Sequence, residues 1–307
     1  MVSLGQLVKL QDYISRYEAD IFMYPSRFIR LKRKQWERKK FLWENGVFPT
    51  EEESPGEIPV REPKNKKWGI LGRIRGKRET PLPGESLPRM VLPYTPKTLT
   101  KLKQQFLDEL YPTQILWASS TLTERSFVDA SFYGEGQLKF LLQRLPDTFL
   151  LFYRPIFLLK NAPVETESVL VTPTELYVLS FLEEEDESVF IGSENRFWEK
   201  RLGDRKKKRL NPLVHLNRTE NIVKGILHHH GIHFPIFKLI FCRNGYIDYP
   251  AVPFGIELVD KRSVEHWLER MRKLPSPLKH DQLLAAKALL DHCKTTAVDR
   301  TEWKPMD

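Results

Sequence analysis

The sequence predicts a mixed-sheet α/β domain that follows an N-terminal helical hairpin and a proline-rich basic linker. From residue 97 onward, segments with helical periodicity alternate with short apolar strands. Residues 47–96 contain nine of the 22 prolines of the chain, so they cannot support regular structure. With 307 residues, the chain can bury one large core or two ordinary ones.

Residues 1–46 are predicted to form a basic helical hairpin. Apolar residues at steps of three and four predict a first helix that ends at Pro25; they are Leu7, Leu10, Ile14, Tyr17, Ile21 and Tyr24. Ser26 can cap a second helix over residues 27–44. The two apolar stripes would pack against each other or against a second copy, which predicts a possible homodimer through residues 4–24.

Residues 97–307 are predicted to form the α/β domain. The predicted helices are 97–110, 136–144, 211–227, 263–273 and 281–293. The predicted strands are 114–117, 149–153, 168–172, 175–182, 189–191 and 237–242, with short ones at 246–249 and 255–258. Pro173 and Thr174 form a turn signal, so the strands on either side should make a hairpin.

The charge of the chain favours a polyanionic partner. There are 49 Lys and Arg against 40 Asp and Glu, a formal net charge of +9, which suits nucleic acid or an anionic surface. Three basic groups are candidate phosphate contacts, each with a solvated surface as the alternative. They are Arg30, Lys32, Arg33 and Lys34 in the second helix; Lys64, Lys66, Lys67, Arg73, Arg75, Lys77 and Arg78 in the linker; and Lys206, Lys207, Lys208 and Arg209.

Cysteine and histidine usage argues against common metal and disulfide frameworks. Two cysteines, Cys242 and Cys293, are read as reduced thiols. The histidines at 228–230 and 233 are read as a polar helix end rather than a metal site, because consecutive helical residues point about 100° apart. No apolar run approaches the roughly 20 residues of a membrane span, which predicts a cytoplasmic protein.

Residues 131–262 resemble the nuclease-related (NERD) domain, a branch of the restriction-endonuclease-like fold. Gly134-Glu135 heads the helix at 136–144, as a Gly-Glu pair does in that family. The hairpin at 165–182, Trp198 and the helix start Asn211-Pro212-Leu213-Val214-His215 follow in the family's order. The resemblance implies a restriction-endonuclease-like core, and covers somewhat less than half of the chain.

The resemblance also implies an active site that has lost part of its chemistry. In the family, acidic residues hold a divalent metal and a lysine activates water. Glu135 and Glu167 are retained as acids, with Glu167 at an aspartate position. Ser180 and Leu182 stand where the family has Glu and Lys, and His215 replaces a glutamine.

The resulting functional hypothesis is a bacterial, NERD-like protein that binds nucleic acid, or helps process it, with little or no cleavage of its own. No cofactor is expected on this hypothesis. A first alternative is an active metal-dependent DNA nuclease that uses Mg²⁺ or Mn²⁺ at a site rebuilt around Glu135 and Glu167. A second alternative is a dimeric scaffold whose basic residues bind an acidic protein or anionic lipid.

Overall fold

The computed structural model describes residues 2–46, 96–160, 162–274 and 277–300. The seven basic candidates of the predicted linker therefore lie outside the described residues. Within the described ranges, no helix is long and apolar enough to cross a membrane.

The described residues form a mixed α/β structure. The helices are α1 (Arg16–Ala19), α2 (Tyr24–Glu44), α3 (Leu99–Trp117), α4 (Gly136–Arg144), α5 (Leu213–His229), α6 (Val264–Arg272) and α7 (His280–Asp291). The strands are β1 (Gln6–Leu10), β2 (Glu124–Arg125), β3 (Leu150–Tyr153), β4 (Ile156–Leu159), β5 (Ala162–Glu165), β6 (Ser168–Val171), β7 (Leu176–Phe181), β8 (Val189–Ile191), β9 (Phe197–Leu202), β10 (Arg205–Leu210), β11 (Ile236–Cys242), β12 (Tyr246–Asp248), β13 (Ile256–Asp260) and β14 (Val298–Asp299).

A six-stranded mixed sheet forms the centre of the fold, in the order β1-β3-β6-β7-β11-β13. β1 and β3 are parallel, as are β7, β11 and β13, whereas β6 runs antiparallel to both of its neighbours. Strands β3, β6 and most of β7 are buried, as expected for a sheet covered on both faces. The predicted mixed-sheet α/β class is confirmed.

The predicted hairpin around Pro173 and Thr174 is also confirmed. β6 and β7 pair antiparallel, and the turn is closed by Thr172, whose backbone amide donates to the Glu175 carbonyl over 2.9 Å. The Thr172 hydroxyl donates to the same carbonyl over 2.8 Å. These bonds fix the register of the hairpin and therefore the position of Ser180 near the end of β7.

A second sheet of four strands, in the order β10-β9-β8-β12, extends from the connection between β7 and α5. β8, β9 and β10 pair antiparallel in chain order, and β12 joins β8 in parallel. Trp198 anchors this sheet: its side chain is buried, donates its indole N–H to the Ser193 carbonyl over 2.8 Å, and contacts Tyr249. The basic run at 205–209, for which no strand was predicted, forms strand β10.

The predicted helix through Leu7 and Leu10 is wrong, because these residues lie in β1. Every residue of β1 is buried, and β1 pairs in parallel with β3. An apolar strand buried on both faces satisfies the same residue pattern as a helical stripe. The stripe Leu7 to Tyr24 is buried within this chain, so the predicted homodimer through residues 4–24 loses the surface on which it was based.

The second N-terminal helix is confirmed as α2, although it begins at Tyr24 rather than near residue 27. Pro25 occupies the first turn, where a missing backbone N–H breaks no helical hydrogen bond. Trp36 packs against Phe106 of α3, with ring centroids 5.2 Å apart. The helical partner of α2 is therefore α3 rather than a first N-terminal helix.

The predicted strand at 114–117 is also wrong, because α3 continues through Pro112 to Trp117. Proline normally ends or kinks a helix, and tertiary packing overrides that preference here. The buried Gln114 side chain accepts from the Leu7 amide over 3.0 Å and donates to the Gly5 carbonyl over 2.5 Å. These bonds join the last turn of α3 to β1.

Candidate functional site

Four polar side chains with possible roles in chemistry meet at one edge of the six-stranded sheet. Arg154 follows the end of β3, Glu167 precedes β6, Ser180 lies near the end of β7, and His215 is in the first turn of α5. Because β6 is antiparallel to its neighbours, its amino end lies beside the carboxyl ends of β3 and β7. The hairpin and the start of α5 thus bring three of the sequence-predicted residues together.

Glu167 lies at the centre of this group. Its backbone amide donates to the Thr219 hydroxyl over 3.1 Å, and Thr219 is one helical turn beyond His215 on α5. Burial raises the pKa of the Glu167 carboxyl; a hydrogen bond with the Ser180 side chain and the charges of His215 and Arg154 act in the opposite direction. Glu167 therefore retains a proton at higher pH than an ordinary glutamate does.

Arg154 supplies an exposed cation next to Glu167. Its backbone is held in the left-handed region, at φ 46°, which is costly for a residue with a side chain. The Ser168 hydroxyl accepts from the Arg154 amide over 3.1 Å, and the guanidinium donates to Gln137 Oε1 over 3.1 Å. The guanidinium carbon also lies 5.0 Å from the centre of the Tyr153 ring.

Glu135 caps α4 at the same edge of the sheet, accepting from the Gln137 amide over 3.4 Å. Burial raises the pKa of the Tyr153 and Tyr111 hydroxyls, and the neighbouring Glu135 carboxylate raises both further. The structure therefore places Glu135 near Tyr153 and Tyr111, whereas Glu167 has Ser180, His215 and Arg154 as neighbours.

No lysine among the described residues takes the place of Leu182, the position at which the nuclease-related family has its lysine. The Leu182 amide donates to the Phe241 carbonyl over 2.7 Å, which continues the pairing of β7 with β11. One residue later, Glu183 is held by Arg243, whose Nη2 donates to the carboxylate over 2.7 Å. The Arg243 guanidinium also lies 4.5 Å from the ring centre of Phe140.

Sequence reasoning missed Arg154 and Arg243. Both directly follow predicted strands, at 149–153 and 237–242, and the carboxyl ends of parallel strands are where sheet-based sites form. Their position directly after a predicted strand is the sequence feature that could have identified both residues as candidates. Arg154 contacts Gln137 over 3.1 Å, and Gln137 in turn reaches Glu183 over 3.5 Å, so the two cations belong to one polar network.

The acidic residues after β7 bind the basic residues that could have reached this site. Lys200 is buried and donates to Glu184 over 2.5 Å, and it also contacts Glu185. Arg209 makes an ion pair with Glu184 as well. Lys200 and Arg209 therefore hold the second sheet against the end of β7 instead of replacing the missing lysine.

The described residues at this site do not form the ligand set that a divalent metal needs. Ser180 and Leu182 supply no carboxylate, and no group of three His, Cys, Asp or Glu side chains in the described part of the chain could hold a metal ion. Of the four histidines at 228–230 and 233, two lie against His292: the rings of His229, His230 and His292 have centroids 5.2–6.1 Å apart.

The two cysteines, Cys242 and Cys293, are buried, free thiols, and burial raises the pKa of each to about 12.

The basic candidates on α2 are not equivalent. Arg30, Arg33 and Lys34 are exposed, so they can meet a polyanion. Lys32 is buried, makes an ion pair with Asp147, and donates to the Val2 carbonyl over 2.6 Å. The prediction that Lys32 contacts phosphate is therefore wrong: its ammonium group joins α2 to the core.

The basic candidates on β10 are exposed along the whole strand. Lys206, Lys207, Lys208 and Arg209 alternate between the two faces of the second sheet. Only Arg209 among them has a close ion pair with a described residue, through Glu184; Lys206 has a long contact of 3.9 Å with Glu199. This surface can therefore accept an anionic ligand.

Comparison with known proteins points away from the nuclease-related domain. The chain is 38% identical, over 122 residues, to a protein of Geobacillus stearothermophilus named RNA 2',3'-cyclic phosphodiesterase. The similarity covers 36% of this chain and 36% of that protein, so the chain matches about a third of its relative's length. No protein-family model matches the chain, and no solved structure matches it.

Two sequence-based interpretations are corrected by this comparison. The resemblance to the nuclease-related domain is wrong at the level of family, because the relative that was found carries the name of a different enzyme. The interpretation of the chain as a non-cleaving pseudo-nuclease is contradicted by the same finding. The motif matches that suggested it were short residue patterns, and patterns of that length recur in unrelated α/β proteins.

Proposed function

We propose that this chain is a phosphodiesterase that acts on RNA, with a terminal 2',3'-cyclic phosphate as its substrate. The main support is that Glu167, His215 and Arg154 lie together, and that burial raises the pKa of the Glu167 carboxyl. A proton donor, a proton acceptor and a cation are the groups that metal-independent phosphodiester hydrolysis requires. The name of the Geobacillus stearothermophilus relative supports RNA as the substrate.

The proposed reaction divides two proton transfers between Glu167 and His215. The imidazole of His215 takes a proton from water as the water oxygen attacks phosphorus. The P–O bond to one ribose oxygen of the ring breaks, and the protonated Glu167 carboxyl donates its proton to that leaving oxygen. The product is a phosphomonoester with a free neighbouring hydroxyl. A further proton transfer, from His215 to Glu167 through solvent, then restores both groups.

Arg154 is proposed to bind the phosphate during this reaction. A guanidinium offers several N–H donors in one plane and pairs well with two phosphate oxygens. The Arg154 side chain is exposed and its hydrogen bond to Gln137 orients it beside Glu167. Charge that develops on the phosphate oxygens in the transition state would then meet a fixed cation.

At the level of fold alone, we propose a restriction-endonuclease-like core. The support is the order α4, β3, β6, β7, α5 and β11, with strands β3, β6, β7 and β11 adjacent in the sheet. This proposal concerns architecture and carries no activity, because one fold supports unrelated chemistries.

The function is tested with three oligoribonucleotides of one sequence that end in a 2',3'-cyclic phosphate, a linear 3'-phosphate or a 3'-hydroxyl. The full chain should open the cyclic end to a monoester that phosphatase then removes, and should leave the other two oligonucleotides unchanged. Glu167→Gln and His215→Gln should each lose most of this activity, whereas Glu165→Gln, an exposed glutamate on β5, should keep it.

Two results would contradict the proposal. An intact cyclic end after prolonged incubation with folded protein would exclude the activity. Opening of the cyclic end at equal rates by wild type, Glu167→Gln and His215→Gln would exclude the proposed residues. Circular dichroism of each variant shows whether it is folded, so that loss of activity can be separated from loss of structure.

A further inference from the structure

The hairpin of β9 and β10 presents an exposed surface that the proposed chemistry does not use. β10 is an edge strand of the four-stranded sheet, and all six of its residues are exposed. Five of them are consecutive cations, from Arg205 to Arg209. Lysines on an edge strand can serve to prevent pairing with another chain, so a second feature is needed to identify a ligand.

The two faces of this hairpin differ. Register pairs Lys207 with Lys200 and Arg209 with Trp198; Lys200 and Trp198 are buried, so this face lies against the protein. The opposite face carries Lys206 paired with Arg201, Lys208 paired with Glu199, and Leu210 paired with Phe197. On this second face, called the outer face below, Lys206, Lys208, Arg201 and Phe197 are all exposed.

Phe197 is the second feature. Its side chain is 49% exposed although it lies in a strand, and the Arg196 guanidinium lies 5.8 Å from its ring centre. An exposed aromatic ring gives no protection against edge pairing. Aromatic rings beside cations are instead how proteins bind single-stranded nucleic acid, by stacking on bases while cations contact the backbone.

The charges on the outer face are open to a ligand. Lys208 has no ion-pair partner within the described ranges, and Lys206 has only the long contact to Glu199. The Glu199 carboxylate makes its close ion pair with Arg201 instead. A polyanion that approaches this face therefore meets two lysines whose ammonium groups do not first have to break a close ion pair.

The hairpin also leads directly to the candidate site. β10 ends at Leu210, and His215 follows five residues later in α5. Asn211 fixes this connection: its side-chain amide donates to the Asn195 carbonyl over 2.9 Å, and its Oδ1 accepts from the Leu213 amide over 2.9 Å. The Arg209–Glu184 ion pair holds the other side of β10 to the end of β7.

We infer that the outer face of the β9–β10 hairpin binds the single strand of RNA that precedes the reacting end. A base stacks on Phe197, and phosphates contact Lys206 and Lys208. The inference deepens the proposed function and rests on it for the choice of RNA. It implies a preference for longer substrates, because the hairpin would contribute to the binding of an oligonucleotide but not to that of a single nucleotide.

The experiment separates binding at the hairpin from chemistry at the site. Fluorescence anisotropy measures binding of a labelled twelve-nucleotide oligouridylate with a 3'-hydroxyl end to the full chain. The double variant Lys206→Gln/Lys208→Gln should weaken binding about tenfold or more at low salt, and should reduce the slope of log K against log salt by about 1.4. Phe197→Leu should weaken binding about fivefold or more.

A control pair removes the same charge elsewhere. Lys273→Gln/Lys287→Gln takes two exposed lysines from the region of α6 and α7 and should leave RNA binding within about twofold. Uridine 2',3'-cyclic phosphate has no nucleotides before its reacting end, so the hairpin variants should hydrolyse it at the wild-type rate. A rate that falls equally for this single nucleotide would contradict the inference.

Three further results would decide whether the hairpin binds RNA. Unchanged oligouridylate binding by either hairpin variant would overturn the inference. Competition by polyglutamate as strong as by oligouridylate would overturn it in favour of an acidic protein partner. If wild type binds the oligonucleotide through the hairpin but hydrolyses no cyclic phosphate, the inference stands and the proposed function fails.

Discussion

The backbone amide of Glu167 donates to the side-chain hydroxyl of Thr219 over 3.1 Å. This bond ties the residue that precedes β6 to α5, at a position one turn beyond His215. The half-buried carboxyl of Glu167 and the imidazole of His215 are therefore positioned together. Ser180 completes the arrangement from β7, as a hydrogen-bond partner of Glu167.

Glu167→Gln tests the proposed role of the half-buried Glu167 carboxyl in catalysis. An amide occupies nearly the same volume but has no acidic proton, so we expect the rate of cyclic-phosphate hydrolysis to fall about 10²–10⁴-fold. Wild-type activity should fall as the pH rises through the raised pKa of Glu167, because a proton donor must be protonated to act. A pH–rate profile of both proteins checks this, and a high-pH limb that persists in Glu167→Gln would assign the limb to another group.

The same carboxyl should affect stability in a pH-dependent way. The pKa of Glu167 is raised in the folded state by burial, so the folded protein binds this proton more tightly than the unfolded chain does. That stabilisation is fully present below the ordinary glutamate pKa of 4.5 and is lost as the pH rises through the folded pKa.

Glutamine cannot lose a proton and therefore escapes this loss. We expect the unfolding temperature of Glu167→Gln, relative to wild type, to increase between pH 4 and pH 8. Thermal unfolding followed by circular dichroism at several pH values measures the difference. A relative unfolding temperature that decreases over this range would show that the carboxylate, rather than the acid, is favoured in the folded state.

Lys32 and Lys34 should differ in their effect on stability although both lie on α2. Lys32→Ala leaves Asp147 without its buried partner and the Val2 carbonyl without a donor, so we expect the free energy of unfolding to fall by about 3–5 kcal/mol. Lys34 is exposed, and Lys34→Ala should change stability by about 0.5 kcal/mol or less. Urea denaturation measures both, and equal effects would contradict the structural role of Lys32.

Gly245 and Gly225 should respond oppositely to alanine. A Cβ atom at Gly245 would overlap the Ser188 carbonyl oxygen, so Gly245→Ala should destabilise the turn between β11 and β12 and lower the unfolding free energy by about 1–3 kcal/mol. Gly225 lies within α5 with open space around it. Gly225→Ala should therefore stabilise the protein by about 0.5–1 kcal/mol. Denaturant unfolding of both variants compares them.

Much of the fold after residue 97 was predictable, since α4, β3, β6, β7, α5 and β11 all lie within about two residues of their sequence-based positions. Their periodicity and turn signals agree with their tertiary environment. β1 was not predictable from its own residues, because Leu7 and Leu10 fit either a helical stripe or a strand buried on both faces. The continuation of α3 through Pro112 depends on long-range bonds from Gln114, which local preferences do not contain.

The candidate site was predictable only in part. Glu167, Ser180 and His215 were singled out through a resemblance that is wrong at the level of family, yet the hairpin and α5 do bring them together. The raised pKa of Glu167 depends on burial in the folded chain, and no sequence pattern reports it. Arg154 acquires its position from a left-handed backbone at φ 46°, which a non-glycine residue rarely adopts and which sequence alone therefore does not suggest.

Hydrolysis of a cyclic phosphate by Glu167 and His215 can be followed by ³¹P NMR of uridine 2',3'-cyclic phosphate incubated with the full chain. With wild type, we expect the cyclic resonance to be replaced by that of a phosphomonoester. His215→Gln and Glu167→Gln should each slow this replacement at least about 100-fold. Persistence of the cyclic resonance with folded wild-type protein, or conversion at the wild-type rate by both variants, would contradict the proposed function.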